Sequence, residues 1–245
     1  NQRPQDTFIY WTGDEYIPTQ LQQLAPASRL LAFADAPEAG AVAYAENGLL
    51  TIKQPAPFTM SLSELSLPGR HNLRNSMAAA LAAQSAGVDE ATIRAGLADF
   101  PGVPHRLEKV ADVAGVHYVN DSKATNVDAC YCALESMQTP VVLILGGTDK
   151  GNDYNEIAPL VREKCRALVF LGADNSKLQD FFANFNLPIS DTHSMKDCVA
   201  ACAAAALPGD TVLLSPCCAS FDLFRNMGDR GDQFKALVRA MQTTE

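Results

Sequence analysis

The 245-residue chain is 47% hydrophobic, enough for one large core or two modest ones, so one to two domains are expected. Nineteen Lys and Arg against 28 Asp and Glu leave a net charge of −9 and no basic stripe, which argues against a nucleic-acid partner. No apolar run approaches the roughly 20 residues that a membrane span needs, so no membrane partner is expected.

The chain opens Asn1-Gln2-Arg3-Pro4, without Met and without the charged-then-apolar plan of a signal peptide, and reads as a cut within a longer protein. Up to about residue 67 the pattern is irregular. Thr7 to Trp11 and Leu30 to Phe33 read as strands at a sheet edge, and Asn47-Gly48 between Val42/Tyr44 and Leu49/Ile52 reads as a hairpin turn. An alanine-rich helical pattern runs from Asn72 to Ala86 and stops at Gly87. A second runs from Asp89 to Phe100 and stops before Pro101-Gly102.

The Pro/Gly-dense stretch Phe100 to Pro104 reads as a linker, which divides the chain into 1–103 and 104–245. Beyond it short β-branched runs alternate with helical patterns. The strands are expected at Val116–Asn120, Val141–Leu145, Ala167–Leu171 and Thr211–Leu214. Helices are expected at Asn126–Met137, Asn155–Cys165, Ser176–Asn184, Met195–Leu207 and after Ser220. That alternation implies a Rossmann-like, doubly wound α/β domain with a mostly parallel sheet. The seven cysteines form no C-x-x-C pair, are odd in number and lie in apolar or helical segments, so they are expected to be reduced core thiols of a cytoplasmic protein.

Ligands of such sheets bind at the carboxyl ends of the strands. Three segments lie there: Asn120-Asp121-Ser122-Lys123-Ala124-Thr125-Asn126, Gly146-Gly147-Thr148-Asp149-Lys150-Gly151, and Ser215-Pro216-Cys217-Cys218-Ala219-Ser220. Lys123 and Lys150 bring two cations, and helix N-termini near Thr125 and Ser220 bring free amides; Thr125-x-x-Asp128 has the form of a capping box. The implied ligand is small and multiply anionic, as a dicarboxylate amino acid is. Any one of these residues alone reads more simply as a solvated lysine, a cap or a turn; four at the strand ends of one sheet point to a site. Gly69 to Asn75 and Pro104 to Glu108 are undecided by spacing alone: Asn72 also reads as a helix cap, and Arg106 as the partner of a local carboxylate.

Taken together, Gly69-x-His71-Asn72-x-x-Asn75, Pro104-His105-Arg106-x-Glu108, the heptapeptide 120–126, Gly146-Gly147-x-x-Lys150-Gly151 and Leu214-Ser215-Pro216-x-Cys218-Ala219-Ser220-x-Asp222-x-Phe224 resemble the Mur ligase family, in its D-glutamate-adding branch. The resemblance covers Gly69 to the C-terminus and is weaker over 1–68. It implies that 1–103 is the C-terminal portion of a P-loop-type α/β central domain that binds ATP, and that 104–245 is the family's amino-acid-binding domain. It also implies a cytoplasmic, monomeric enzyme of peptidoglycan synthesis that uses ATP and Mg2+ to join D-glutamate to UDP-N-acetylmuramoyl-L-alanine through an acyl phosphate. By position, Asn72, Asn75, Arg106 and Asp121 resemble the nucleotide-holding residues, and Lys123, Thr125, Lys150 and Ser220 those that hold the D-glutamate carboxylates. No residue here resembles a catalytic or metal-holding one. Met227 stands where relatives place an aromatic over the glutamate. No G-x-x-x-x-G-K-[ST] loop occurs, so the phosphate loop is expected before Asn1 and the chain alone is expected to be inactive. The other readings are a sibling Mur or folylpolyglutamate-type ligase and a non-catalytic α/β ligand-binding module.

Overall fold

In the computed structural model, which describes residues 2–67 and 69–242, the chain divides between Gly102 and Val103 into two units.

The first unit carries a five-stranded sheet, ordered β1 (Thr7–Trp11), β2 (Arg29–Phe33), β3 (Ala41–Glu46), β4 (Leu49–Ile52), β5 (Phe58–Ser61). The first three are parallel and the last three antiparallel. Asn47 and Gly48 close the β3–β4 hairpin with φ of 51° and 78°, the pair of positive values that a two-residue turn of matching twist needs. Helices α2 (Arg70–Ser85) and α3 (Glu90–Asp99) cover one face, where Met77, Leu81 and Ile93 pack on Leu31, Phe33, Leu50, Ile52 and Met60. Asp89 caps α3 as expected, accepting the Thr92 amide. The helix of the Asn72 motif begins two residues earlier than expected, at Arg70. Asn72 is therefore not its cap but a buried residue of its first turn. Helix α1 (Ile17–Leu24), which links β1 to β2, was not expected; Asp14 starts it by accepting the Tyr16 and Ile17 amides. Trp11, at the end of β1, stacks under the Arg74 guanidinium at 3.6 Å, and Arg74 and Arg70 both pair with Asp35.

The second unit is a six-stranded sheet ordered β10 (Ile189–Thr192), β9 (Cys165–Leu171), β8 (Val141–Gly146), β11 (Thr211–Cys217), β7 (Val116–Asn120), β6 (Glu108–Val113). All neighbours are parallel except β6 with β7. Helices α4 (Val127–Ser136), α5 (Ala158–Lys164) and α6 (Ser176–Phe182) pack on one face; α7 (Met195–Ala205) and α8 (Met227–Gln242) pack on the other. This is the doubly wound α/β architecture expected. Every residue of β8 is buried, as its unbroken apolar run requires of a central parallel strand. The edge strands β6 and β10 were not expected. Six of the seven thiols are buried and all are free.

Two boundary expectations near the strand ends are corrected. The cap of α4 is Asn126, whose Oδ1 accepts the Ala129 amide at 2.9 Å, so the capping box proposed at Thr125 does not form. The last helix starts at Met227, not after Ser220: the Phe224 amide donates to the Ser220 carbonyl for a single turn that is not continued.

At the other end of α4, Lys164 Nζ donates to the carbonyls of Leu134, Glu135 and Met137, each at 2.9 Å. One ammonium thus satisfies three terminal carbonyls at the negative end of the helix dipole. Lys164→Met should lower stability by about 1–2 kcal/mol, read as a shift of the urea midpoint. A midpoint that did not move would show these bonds to be exchanged for water at no cost.

Candidate functional site

From β8 the chain moves on through α5 to β9, while from β11 it turns back through α8 to the β6–β7 side. The connections leaving these two neighbouring strands diverge, and such a divergence opens a crevice at the carboxyl edge of an α/β sheet. The three segments singled out in the sequence all lie along this edge.

The β7 segment is largely internal. Asn120, Asp121 and Ser122 are buried, whereas Lys123 projects outward. Asp121 Oδ2 accepts from the Ser215 hydroxyl at 2.9 Å and Oδ1 from the Leu107 amide at 3.2 Å. Burial pushes the Asp121 carboxyl up to about 6, against the opposing pull of Ser215, the Leu107 amide and the Arg106 charge. Arg106 itself is exposed between His105 and Leu107, two non-glycine residues held at positive φ. That conformation is kept by the bonds around it: the His105 amide donates to Glu108, and its carbonyl accepts the Lys123 amide at 3.0 Å.

Asp149 folds the β8 segment. Its carboxylate accepts from the amides of Gly151 (2.6 Å) and Asn152 (3.1 Å), from Tyr154 Oη (2.8 Å) and from Lys177 Nζ (2.9 Å). Burial works to raise its pKa, but Lys177, Tyr154 and the two amides outweigh it and hold the carboxyl below its ordinary value. With Asp149 turned inward, the neighbouring Lys150 is exposed.

The β8 and β11 segments are fastened to each other. Thr148 and Ala219 exchange backbone hydrogen bonds of 2.8 and 3.2 Å, and Asn152 Nδ2 donates to the Cys217 carbonyl at 3.1 Å. The glycines make this possible: at φ +122° a Cβ on Gly147 would sit 2.2 Å from the Ala219 oxygen. Ser220 follows at 2% exposure, Phe221 stands 72% exposed beside it, and Asp222 reaches back to the Ala173 amide at 2.9 Å. Met227, the first residue of α8, offers its carbonyl to the Ser122 hydroxyl at 2.7 Å.

Of the eight site residues expected from the sequence, five lie on the three edge segments: Asp121, Lys123, Thr125, Lys150 and Ser220. Lys123 and Lys150 form no ion pair among the described residues. Two uncommitted ammonium groups, with a serine between loops rich in backbone donors, make an arrangement suited to carboxylates. Arg106 joins the same unit from the segment before β6. It too forms no ion pair among the described residues, which suits it to a phosphate. Asn72, buried, and Asn75, exposed, lie three residues apart on α2 of the other unit. Among the described residues no group of three His, Cys, Asp or Glu side chains could hold a metal ion, so these residues do not by themselves fit Mg2+. The residues that shape the edge without having been singled out are Asp149, Asn152, Tyr154, Lys177 and Arg230. All are polar residues that a sequence presents as surface, and only their partners reveal what they hold.

Residues 105–218 match the family model described as "Mur ligase, glutamate ligase domain". A relative from Bacteroides thetaiotaomicron, named UDP-N-acetylmuramoylalanine--D-glutamate ligase, is 54% identical over 242 residues, which is 98% of this chain and 54% of the relative. One of the same name from Porphyromonas gingivalis is 50% identical over 241 residues, 97% of this chain and 54% of its own. The chain thus spans about half the length of the curated relatives it matches. Among solved structures, MurF from Acinetobacter baumannii superposes with a TM-score of 0.68 at 17% identity, over 98% of this chain and 53% of that one. MurC from Thermotoga maritima gives 0.63 at 13% identity, over 93% and 55%. At those identities the likeness is one of fold.

Proposed function

We propose that this chain belongs to the Mur ligase family, whose glutamate ligase domain matches residues 105–218, and that it forms the amino-acid-selecting part of an ATP-dependent ligase that joins D-glutamate to UDP-N-acetylmuramoyl-L-alanine in peptidoglycan synthesis. The observation that carries the reading is the carboxylate-ready edge of the second unit, where Lys123, Thr125, Lys150 and Ser220 sit on segments anchored to one another. D-Glutamate has two carboxylates, and two uncommitted lysines match that count. Phe221 supplies apolar surface beside Ser220, and Met227 opens α8. Residues 1–103 are the C-terminal portion of the central, ATP-binding domain in this reading, and 104–245 the amino-acid-binding domain.

What these residues do is positional. Held at both carboxylates, the amino acid presents its nitrogen in a fixed direction, and that orientation converts a two-body encounter into a near-unimolecular step. The Lys123 and Lys150 charges also screen the approach of one anionic substrate to another. ATP supplies the phosphoryl group that turns the alanine carboxylate into an acyl centre with a good leaving group, and Arg106 and Asp121, with Asn72 and Asn75, would hold the nucleotide. Lys123, Lys150 and the residues around them bind and orient. A monomer acting in the cytoplasm completes the reading, and no helix among the described residues is long and apolar enough to cross a membrane.

The test is a chimaera in which the preceding half of the Bacteroides thetaiotaomicron relative is joined to this chain. With ATP, Mg2+ and UDP-N-acetylmuramoyl-L-alanine it should release phosphate only when D-glutamate is added, whereas the 245-residue chain alone should release none. Incorporation of L-lysine or diaminopimelate in place of D-glutamate would assign the edge to a sibling specificity, and normal turnover by the chain alone would sink the division of labour.

A further inference from the structure

Helix α8 carries an arginine into the interior. Arg230 is 1% exposed, and its guanidinium donates from Nε to Ser122 Oγ (2.9 Å), from Nη2 to the Ser122 carbonyl (2.8 Å) and from Nη1 to the Cys218 carbonyl (3.1 Å). No carboxylate lies within ion-pair distance of it among the described residues. Burial pulls its pKa down to about 10, with Cys218 and Asp222 opposing, so the group stays charged at neutral pH. A buried, unpaired charge is expensive, and an unbranched apolar Met would fill much of the same space at lower cost. Packing alone does not account for it.

Its acceptors do. Ser122 is the residue before Lys123, and Cys218 lies two residues before Ser220. Ser122 Oγ in turn donates to the Met227 carbonyl, which closes a ring from the β7 segment through α8 to the β11 segment. The planar fork of a guanidinium reaches three oxygens in fixed directions, which a lysine does not.

We propose that Arg230 is a positioning residue for the amino-acid site: by clamping the Ser122 and Cys218 backbones it sets the spacing of Lys123 and Ser220, and its charge, which has no carboxylate within ion-pair distance among the described residues, favours an anionic ligand at that edge. This rests on the reading of the edge as a D-glutamate site. Asp121 is held separately, by Ser215 and the Leu107 amide, so its placement does not depend on the clamp.

Calorimetric titration of D-glutamate into the 245-residue chain tests this with Arg230→Lys, Arg230→Met and, as a stability control, Phe234→Leu one turn along α8. Phe234 is fully buried against Tyr118 in the core under α8 and makes no side-chain hydrogen bond to the edge segments. Binding is expected to weaken by about tenfold in Arg230→Lys and by about a hundredfold in Arg230→Met, and to hold in Phe234→Leu even where its melting temperature falls. Were Arg230→Met to melt without a cooperative transition, Arg230→Lys would be judged against Phe234→Leu in its place. Wild-type affinity in a folded Arg230 variant, or an equal loss in Phe234→Leu, overturns the clamp and leaves the site standing. A wild-type chain that does not bind D-glutamate overturns the site itself, and the clamp with it.

Discussion

Gly147→Ala should abolish D-glutamate binding and lower the stability of the second unit by about 3 kcal/mol or more. Two costs coincide at this position. The backbone sits at φ +122°, outside the range open to residues with a side chain, and the new Cβ would lie 2.2 Å from the Ala219 oxygen and 3.2 Å from Cys218 Cβ. Relief means moving the Ala219 carbonyl, which accepts the Thr148 amide, so the bridge between the β8 and β11 segments opens and Ser220 shifts with it. Gly151→Ala provides the comparison. There φ is +88° but nothing lies within 4 Å of the added carbon, so only the left-handed strain of about 1 kcal/mol remains. Urea unfolding and D-glutamate titration of both variants separate crowding from strain; equal losses in the two would mean that the contact with Ala219 is unimportant.

Asp121→Asn should change stability in a way that depends on pH. The folded protein holds the Asp121 proton up to about pH 6, whereas an unfolded aspartate releases it near 3.9. Between those values the native state binds more protons than the unfolded one, so this group's contribution to stability is complete at low pH and is lost as pH rises through the window, by up to about 3 kcal/mol. Asn is neutral throughout and retains an oxygen for the Leu107 amide, while its NH2 finds the Ser215 hydroxyl as acceptor. The variant should therefore match the wild type near pH 4 and exceed it near pH 7.5. The difference between the two proteins is the quantity to follow, because Asp35, held down to about 2 by hydrogen bonds from Arg74 and Arg70 against its partial burial, adds an opposite dependence at lower pH. A difference that stays constant across the range would contradict the buried, proton-retaining carboxyl.

The elements legible in the sequence were those whose pattern and surroundings agree. β8 announced itself as an unbroken apolar run because its neighbours cover both faces, and the β3–β4 hairpin because Asn47-Gly48 is the cheapest route to two positive φ values. The elements that escaped notice are edges. In β6 the residues Glu108, Lys109 and Asp112 face solvent or local partners, and the register shifts between Lys109 and Ala111, so neither periodicity nor β-propensity stands out. In β10 only Thr192 is buried. The start of α8 was misplaced because the turn at Ser220 imitates a helix start for four residues. The effective cap is Asn226, whose Oδ1 accepts the Asp229 amide.

At the site, motif order and strand ends marked the loops that carry Lys123, Lys150 and Ser220, since ligand-facing loops must follow the strands. What holds those loops was hidden. An Asp that gathers four donors and an Arg with three acceptors look, in one dimension, like any other charges on a helix or turn. Strand order was also invisible: β11 inserts between β7 and β8, and that insertion, not proximity in sequence, brings the Ser220 segment beside the Lys150 segment.

The stack of Trp11 under Arg74 has an optical consequence. Trp11 is the chain's one tryptophan and belongs to the first unit. Its emission reports the opening of that unit alone, because a loosened ring leaves its guanidinium cover and meets water. The second unit holds no tryptophan and is silent in that emission. Backbone dichroism sums both units, so what remains of it after the part that follows Trp11 emission is removed is the unfolding curve of the second.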